Sequence, residues 1–203
     1  MIAIITGDIV NSRKLTSKIW IDGLKKLLNT FGKNPIEWEI YRGDEFQLEI
    51  KNPEEALIIA LQIKSYLKTL KLDARMSVGF GGMTYKAKKI SESNGTAFSR
   101  SGEVFETLKK QKNNLAINSS EEAFNTEINL MLRLSLTFMD NWLVQSAEFV
   151  LTAIENPSLS QEEIGVKLGI NQAAVSRRRK RSQFDLMMEM ENYFRNKIKT
   201  ISV

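Results

Sequence analysis

Apolar and polar side chains alternate twice between residues 36 and 50. Ile36, Trp38 and Ile40 interleave with Glu37, Glu39 and Tyr41, and Phe46, Leu48 and Ile50 interleave with Glu45, Gln47 and Glu49. A period of two is that of a half-buried strand. Gly43 and Asp44 between the runs predict a tight hairpin. Residues 2–5 are an apolar run ahead of Thr6, Gly7 and Asp8, which predicts a buried strand delivering Asp8 to its end. Residues 75–80 (RMSVGF) and 115–118 predict two more strands. Helical spacing replaces alternation at Ile19, Leu24, Leu27, Leu28 and Phe31, ending at Gly32, and at Ala56, Leu57, Ala60, Ile63 and Leu67 after Pro53. A shorter helix is expected over residues 101–109. This order, β-α-β-β-α-β, predicts an α+β fold: a ferredoxin-like sheet with its helices on one face.

From residue 120 the pattern is wholly helical. Ile128, Met131, Phe138, Trp142, Phe149 and Ile154 mark one or two long amphipathic helices with a break near Asp140, and Pro157 closes the segment. Phe184, Met187, Met190 and Phe194 form a later stripe that reads as helical core or dimer packing rather than a ligand box. The organisation expected is a sheet domain over residues 1–119, linking helices over 120–156, and a helix-turn-helix domain over 157–203.

That last assignment rests on residues 160–181, SQEEIGVKLGINQAAVSRRRKR. Ser160 and Glu163 have the spacing of a capping box. Ile164 and Leu168 lie one helical repeat apart, Gly169 can take the positive φ that ends a helix, and Asn171 can cap a second one. Ala174 and Val175 are small enough to pack closely on the first helix. A run of five basic residues, Arg177 to Arg181, follows. A basic run alone is more often a solvated face. Joined to two capped helices and a glycine turn, it points to the DNA major groove. Asn171, Gln172, Ser176, Arg177, Arg178 and Arg181 are the expected DNA contacts, with Gln172 and Ser176 suited to base edges and the arginines to phosphate or guanine. One irregularity stands out. Arg179 occupies the position where an apolar residue would follow Val175, so the second helix either runs on as an exposed rod or leans on its neighbour only at its start.

Charge supports this reading. The 203 residues carry 29 Lys plus Arg and 24 Asp plus Glu, net +5. Residues 157–203 alone hold nine basic and five acidic residues, net +4. The positive excess is thus a local polyanion footprint. There is no cysteine and no histidine. Disulfides, thiolate chemistry and the usual imidazole base and metal ligand are excluded. Any chemistry must rest on carboxylates, hydroxyls, Lys and Arg, with a hard cation such as Mg²⁺ or Mn²⁺. The start MIAIITGD lacks a basic leader, and no segment has the apolar length of a membrane span. A cytoplasmic protein is expected.

Asp8 and Asp44 form the second candidate site. In a β-α-β-β sheet the first strand lies beside the hairpin, so acids about 36 positions apart can meet and hold divalent ions for phosphoryl transfer. Gly7, Asn11, Ser12 and Arg13 could offer amides and charge to phosphates. Either a cation or an arginine would have to neutralise the pair, and Arg42 and Arg13 are the nearby candidates; if Arg42 points away, Mg²⁺ or Mn²⁺ should bind. As structural roles, Asp8 could cap a helix and Asp44 could hold a turn.

ITGDIVNSR and YRGDEFQ resemble the two metal-bearing motifs of the palm shared by nucleotide cyclases, diguanylate cyclases and related polymerases. The resemblance makes Asp8 the first metal aspartate and Asp44 that of the hairpin, with MSVGF as the palm's later strand. Those motifs, with SGEVFETL and the terminal helix-turn-helix, resemble the SatD family of bacterial proteins along nearly the whole chain. Two departures separate the chain from an active cyclase. Glu106 and Lys110 fall where an Asn and an Arg would steady the transferring phosphate, and Arg42 replaces the first of two glycines before Asp44. The function expected is therefore double-stranded DNA binding by a homodimeric transcriptional regulator. Its palm-like domain would sense a nucleotide or metal or mediate dimerisation. The alternative is a Mg²⁺-dependent nucleotidyl transferase or cyclase with a DNA-targeting C-terminal domain.

Overall fold

The computed structural model describes residues 1–201. It is a mixed α+β structure built on one five-stranded sheet. The strands are β1 (Ile2–Val10), β2 (Trp38–Tyr41), β3 (Glu45–Ile50), β4 (Asp73–Gly81) and β5 (Leu115–Asn118), in the order β2-β3-β1-β4-β5. β1 is antiparallel to both neighbours, and β5 runs parallel to β4. The helices are α1 (Ser17–Asn29), α2 (Ala56–Thr69), α3 (Thr96–Gln111), α4 (Glu122–Met139), α5 (Val144–Glu155), α6 (Gln161–Leu168), α7 (Gln172–Arg181) and α8 (Phe184–Ile198). No helix among the described residues is long and apolar enough to cross a membrane.

β1 is longer than its apolar run predicts. Hydrogen bonding to β3 and β4 on both edges carries it to Val10, so Asp8 lies within the strand and not at its end. Ile36 stays outside the hairpin, half exposed, and β2 starts at Trp38.

Alternation along the strands gives the sheet two unlike faces. Ala3, Ile5, Leu48, Val78 and Phe80 belong to the main apolar cluster with α1, α2, α4 and α8. Ile4 belongs to a separate small cluster with Ile90 and Ala97 under α3. Helices therefore cover both faces rather than one. The reason is local: α3 lies so close on β4 that a Cβ at Gly79 would sit 2.2 Å from the carbonyl oxygen of Ala97. The approach also lets α3 begin five residues before its expected start, so Gly102 falls inside the helix.

The main cluster continues without a break into the C-terminal helices. Phe149, Ile164, Val175, Met187 and Phe194 all belong to it, and the Phe194 ring lies 5.8 Å from that of Phe80 on the sheet. The Met/aromatic stripe is thus core packing. Burial of each such side chain stabilises the fold by about 1.5–3 kcal/mol. A buried ionic cluster adds a second tie. Lys64 of α2, fully buried, donates to Asp73 of β4 at 2.7 Å and to Asp140 at the end of α4 at 2.6 Å. Asn114 completes it by donating to Asp140 at 3.0 Å.

Candidate functional site

Local signals set the ends of α6 and α7, and burial of Ile164 and Val175 holds the pair to the main cluster. Ser160 and Glu163 form the expected reciprocal capping box. Gly169 ends α6 in the left-handed region at φ 64°, and the Asn171 side-chain Oδ1 accepts from Ala174 N–H at 2.9 Å to open α7. Ile164, Gly165 and Val175 are buried where the two helices meet, and a Cβ at Gly165 would lie 3.4 Å from Val175 Cγ2. Here the irregularity at Arg179 resolves. α7 leans on its neighbour only at its start and stops at Arg181, where Ser182 and a left-handed Gln183 turn the chain into α8.

The candidate contact residues do not share one environment. Ser176, Arg177 and Arg181 are exposed, as is Lys180. Gln172 is exposed and donates to Gln161 at 3.0 Å, which fixes its amide at the head of α7. Asn171 spends its oxygen on the cap. Arg178 turns back to α5, pairing with Glu148 at 2.9 Å and donating to the Gln145 carbonyl. Arg179 is held by Asp185 and lies over the Phe184 ring. Of the five adjacent basic residues, three thus present an outward face: Arg177, Lys180 and Arg181.

The paired carboxylates belong to the face of the sheet that α3 covers, where Ser101 donates to Thr6. Directly opposed residues in an antiparallel pair share a face, so Glu45, Asp8 and Arg75 form a row across β3, β1 and β4. The next row is Gln47, Thr6 and Ser77. Asp44 joins this face at the hairpin turn, where its carbonyl accepts from Ile9 N–H at 3.2 Å. The structure thus brings Asp8 and Asp44 together. Their partners differ from those expected. Asp8 pairs with Arg75 at 3.0 Å, whereas Arg42 points away, exposed, towards Glu45 at 3.8 Å. Arg13 is exposed, and Ser12 gives its hydroxyl to Asp44 at 2.6 Å. Asn11, left-handed at φ 65°, opens the short 3-10 turn that carries Ser12 and Arg13.

Asp8 Oδ1 is buried with no hydrogen-bond partner, and so is Arg75 Nε. Burial pushes the Asp8 carboxyl above its usual value, and Asp44 adds to the rise, while Arg75 and Lys109 pull it down. One oxygen of Asp8 is therefore neutralised and the other is left wanting a proton or cation. Beside this pair, a groove of about 490 Å³ opens over the polar face, lined by Thr6, Gln47, Gly102, Phe105 and Glu106 among others. Among the described residues no group of three or more acids could hold a metal ion.

The sequence profile of the SatD family matches residues 1–201. The chain belongs to the SatD family. Comparison with curated proteins and with solved structures returned no match. Sequence reasoning missed Arg75 and Lys64. Arg75 opens the RMSVGF run, and its role appears only once the register places it opposite Asp8. Lys64 interrupts the apolar spacing of α2, which was a visible signal of a paired interior charge.

Proposed function

We propose that this SatD-family chain is a cytoplasmic, homodimeric transcriptional regulator that binds double-stranded DNA through α6 and α7, read as a helix-turn-helix. The observation carrying the reading is the outward row Arg177, Lys180 and Arg181 on a short helix whose start is fixed by the Asn171 cap. Gln172 opens the helix and Ser176 lies one turn further on; in this reading they would meet base edges while the cations meet phosphates. A single such unit reads a half-site, which favours two copies.

The strand order β2-β3-β1-β4 is that of the ferredoxin-like palm, and this supports reading the sheet as a palm-like sensor of a nucleotide or of Mg²⁺ or Mn²⁺. Asp8 and Asp44 would hold the cation. Asn11, Ser12 and Arg13 remain candidates for phosphate contact, with Ser12 already committed to Asp44. Catalysis by a cyclase or nucleotidyl transferase is the weaker reading. Arg75 takes one oxygen of Asp8, and Glu106 lines the groove where a phosphate would have to approach.

Selection of duplexes from a random pool by the full-length protein tests the proposal. A recovered motif with two-fold symmetry, whose preference relaxes at one base pair per half-site in Gln172→Ala, is the expected outcome. Failure to enrich any sequence, with equal weak binding to all duplexes, would remove the regulatory reading.

A further inference from the structure

A second cavity lies where the C-terminal helices meet α2. It encloses about 420 Å³ between α5, the loop after it, α6 and α8, within the range of small-molecule sites. Its walls are apolar: Phe149, Ile154, Leu159, Ile164 and Met188 line it, and Phe184 packs edge-on against Phe149 at 5.3 Å. Two guanidiniums, Arg179 and Arg195, and the Glu191 carboxylate also line it, and Asp185 beside it pairs with Arg179.

Both arginines are already oriented. Arg195 donates to one oxygen of Glu191 through Nε and Nη2, at 3.1 and 2.7 Å. Arg179 approaches one oxygen of Asp185 through the same two atoms, at 2.8 and 2.6 Å. The Nη1 amino groups take part in none of these contacts. Glu191 is only 4% exposed, so it anchors Arg195 from within the fold rather than from solvent. An apolar chamber with two pinned guanidiniums at its border is complementary to a ligand with an apolar body and an anionic head.

We propose that this cavity binds a small amphipathic carboxylate, with its hydrocarbon between α5 and α8 and its head group on Arg179 and Arg195. The site is separate from the Asp8–Asp44 groove and does not depend on the DNA-binding reading. It lies directly behind α7, because Arg179 belongs to that helix and Phe184 opens the next.

Titration calorimetry of the full-length protein with sodium octanoate, octan-1-ol and sodium acetate tests this. Octanoate is expected to bind at least about tenfold more tightly than either, the alcohol lacking the charge and acetate the body. Arg179→Gln, which removes a partly exposed ion pair, should weaken octanoate about tenfold and leave octan-1-ol unchanged. Leu159→Trp, in the loop, should fill the chamber and abolish binding of both, with circular dichroism confirming that the fold is kept. If Leu159→Trp unfolds the chain, Met188→Trp takes its place. Octanoate binding no tighter than octan-1-ol, or equal binding in Arg179→Gln and in the filled variant, would overturn the proposal.

Discussion

Arg178 and Glu148 form an ion pair of 2.9 Å that fastens α7 to α5. The Arg178 side chain is 19% exposed, so this guanidinium is spent on holding its own helix in place. Its neighbour Arg177 is exposed. The two should therefore separate cleanly on substitution. Arg178→Ala should lower stability by about 1 kcal/mol, the scale of a partly exposed pair plus lost packing, read as a shifted urea midpoint. Arg177→Ala should leave the midpoint unmoved and weaken duplex binding. Equal midpoints for the two variants would contradict the division of labour along α7.

The Lys64 cluster predicts a larger effect. Its ammonium is fully buried and joins α2, β4 and the end of α4. Replacing it with methionine keeps the stem but leaves Asp140 without its charged partner and Asp73 with only Lys68. Removing one partner of a buried pair costs about 3–5 kcal/mol. Lys64→Met should lose that much in equilibrium denaturation, and Lys64→Met/Asp140→Asn less than the sum of the two single changes. An additive double variant would mean that the two residues do not act as a pair.

These two cases show what the chain reveals before folding. Local devices are legible: Ser160 with Glu163, Gly169 and Asn171 each act over three or four residues, and β5 falls on residues 115–118 as the apolar run predicts. The meeting of Asp8 with Asp44 was also legible, because the β-α-β-β order puts β1 beside the hairpin. Register-dependent facts were not. Arg75 reaches Asp8 only because β4 pairs with β1 at that offset, and no spacing in the sequence carries an offset between strands 67 positions apart. The start of α3 was hidden for a related reason: it follows Gly95, whose backbone packs against Gly82 and Met83 far off in sequence.

The Asp8 carboxyl supplies a pH test. Its value is raised in the fold, chiefly by burial, so the folded chain binds this proton more tightly than the unfolded chain does. The stability it contributes is present at low pH and is lost as pH rises through the folded value. A cation that replaces the proton should then matter more as the group ionises. Mn²⁺ is expected to raise the melting temperature by a few degrees at about pH 7.5 and by much less at about pH 4.5. In Asp8→Asn the Mn²⁺ shift should vanish at both. An unchanged shift in that variant would place any bound Mn²⁺ elsewhere.

DNA binding by the α7 face is most directly measured by the salt dependence of duplex affinity in the full-length protein. Arg177, Lys180 and Arg181 are the three outward cations of the run, with Arg178 and Arg179 held in internal pairs. Three phosphate contacts correspond to a slope of log K against log salt of about −3 per subunit, and Arg177→Ala/Arg181→Ala should reduce it to about −1. A slope near zero, or one unchanged by the double substitution, would contradict the assignment of α7 as the DNA-binding helix.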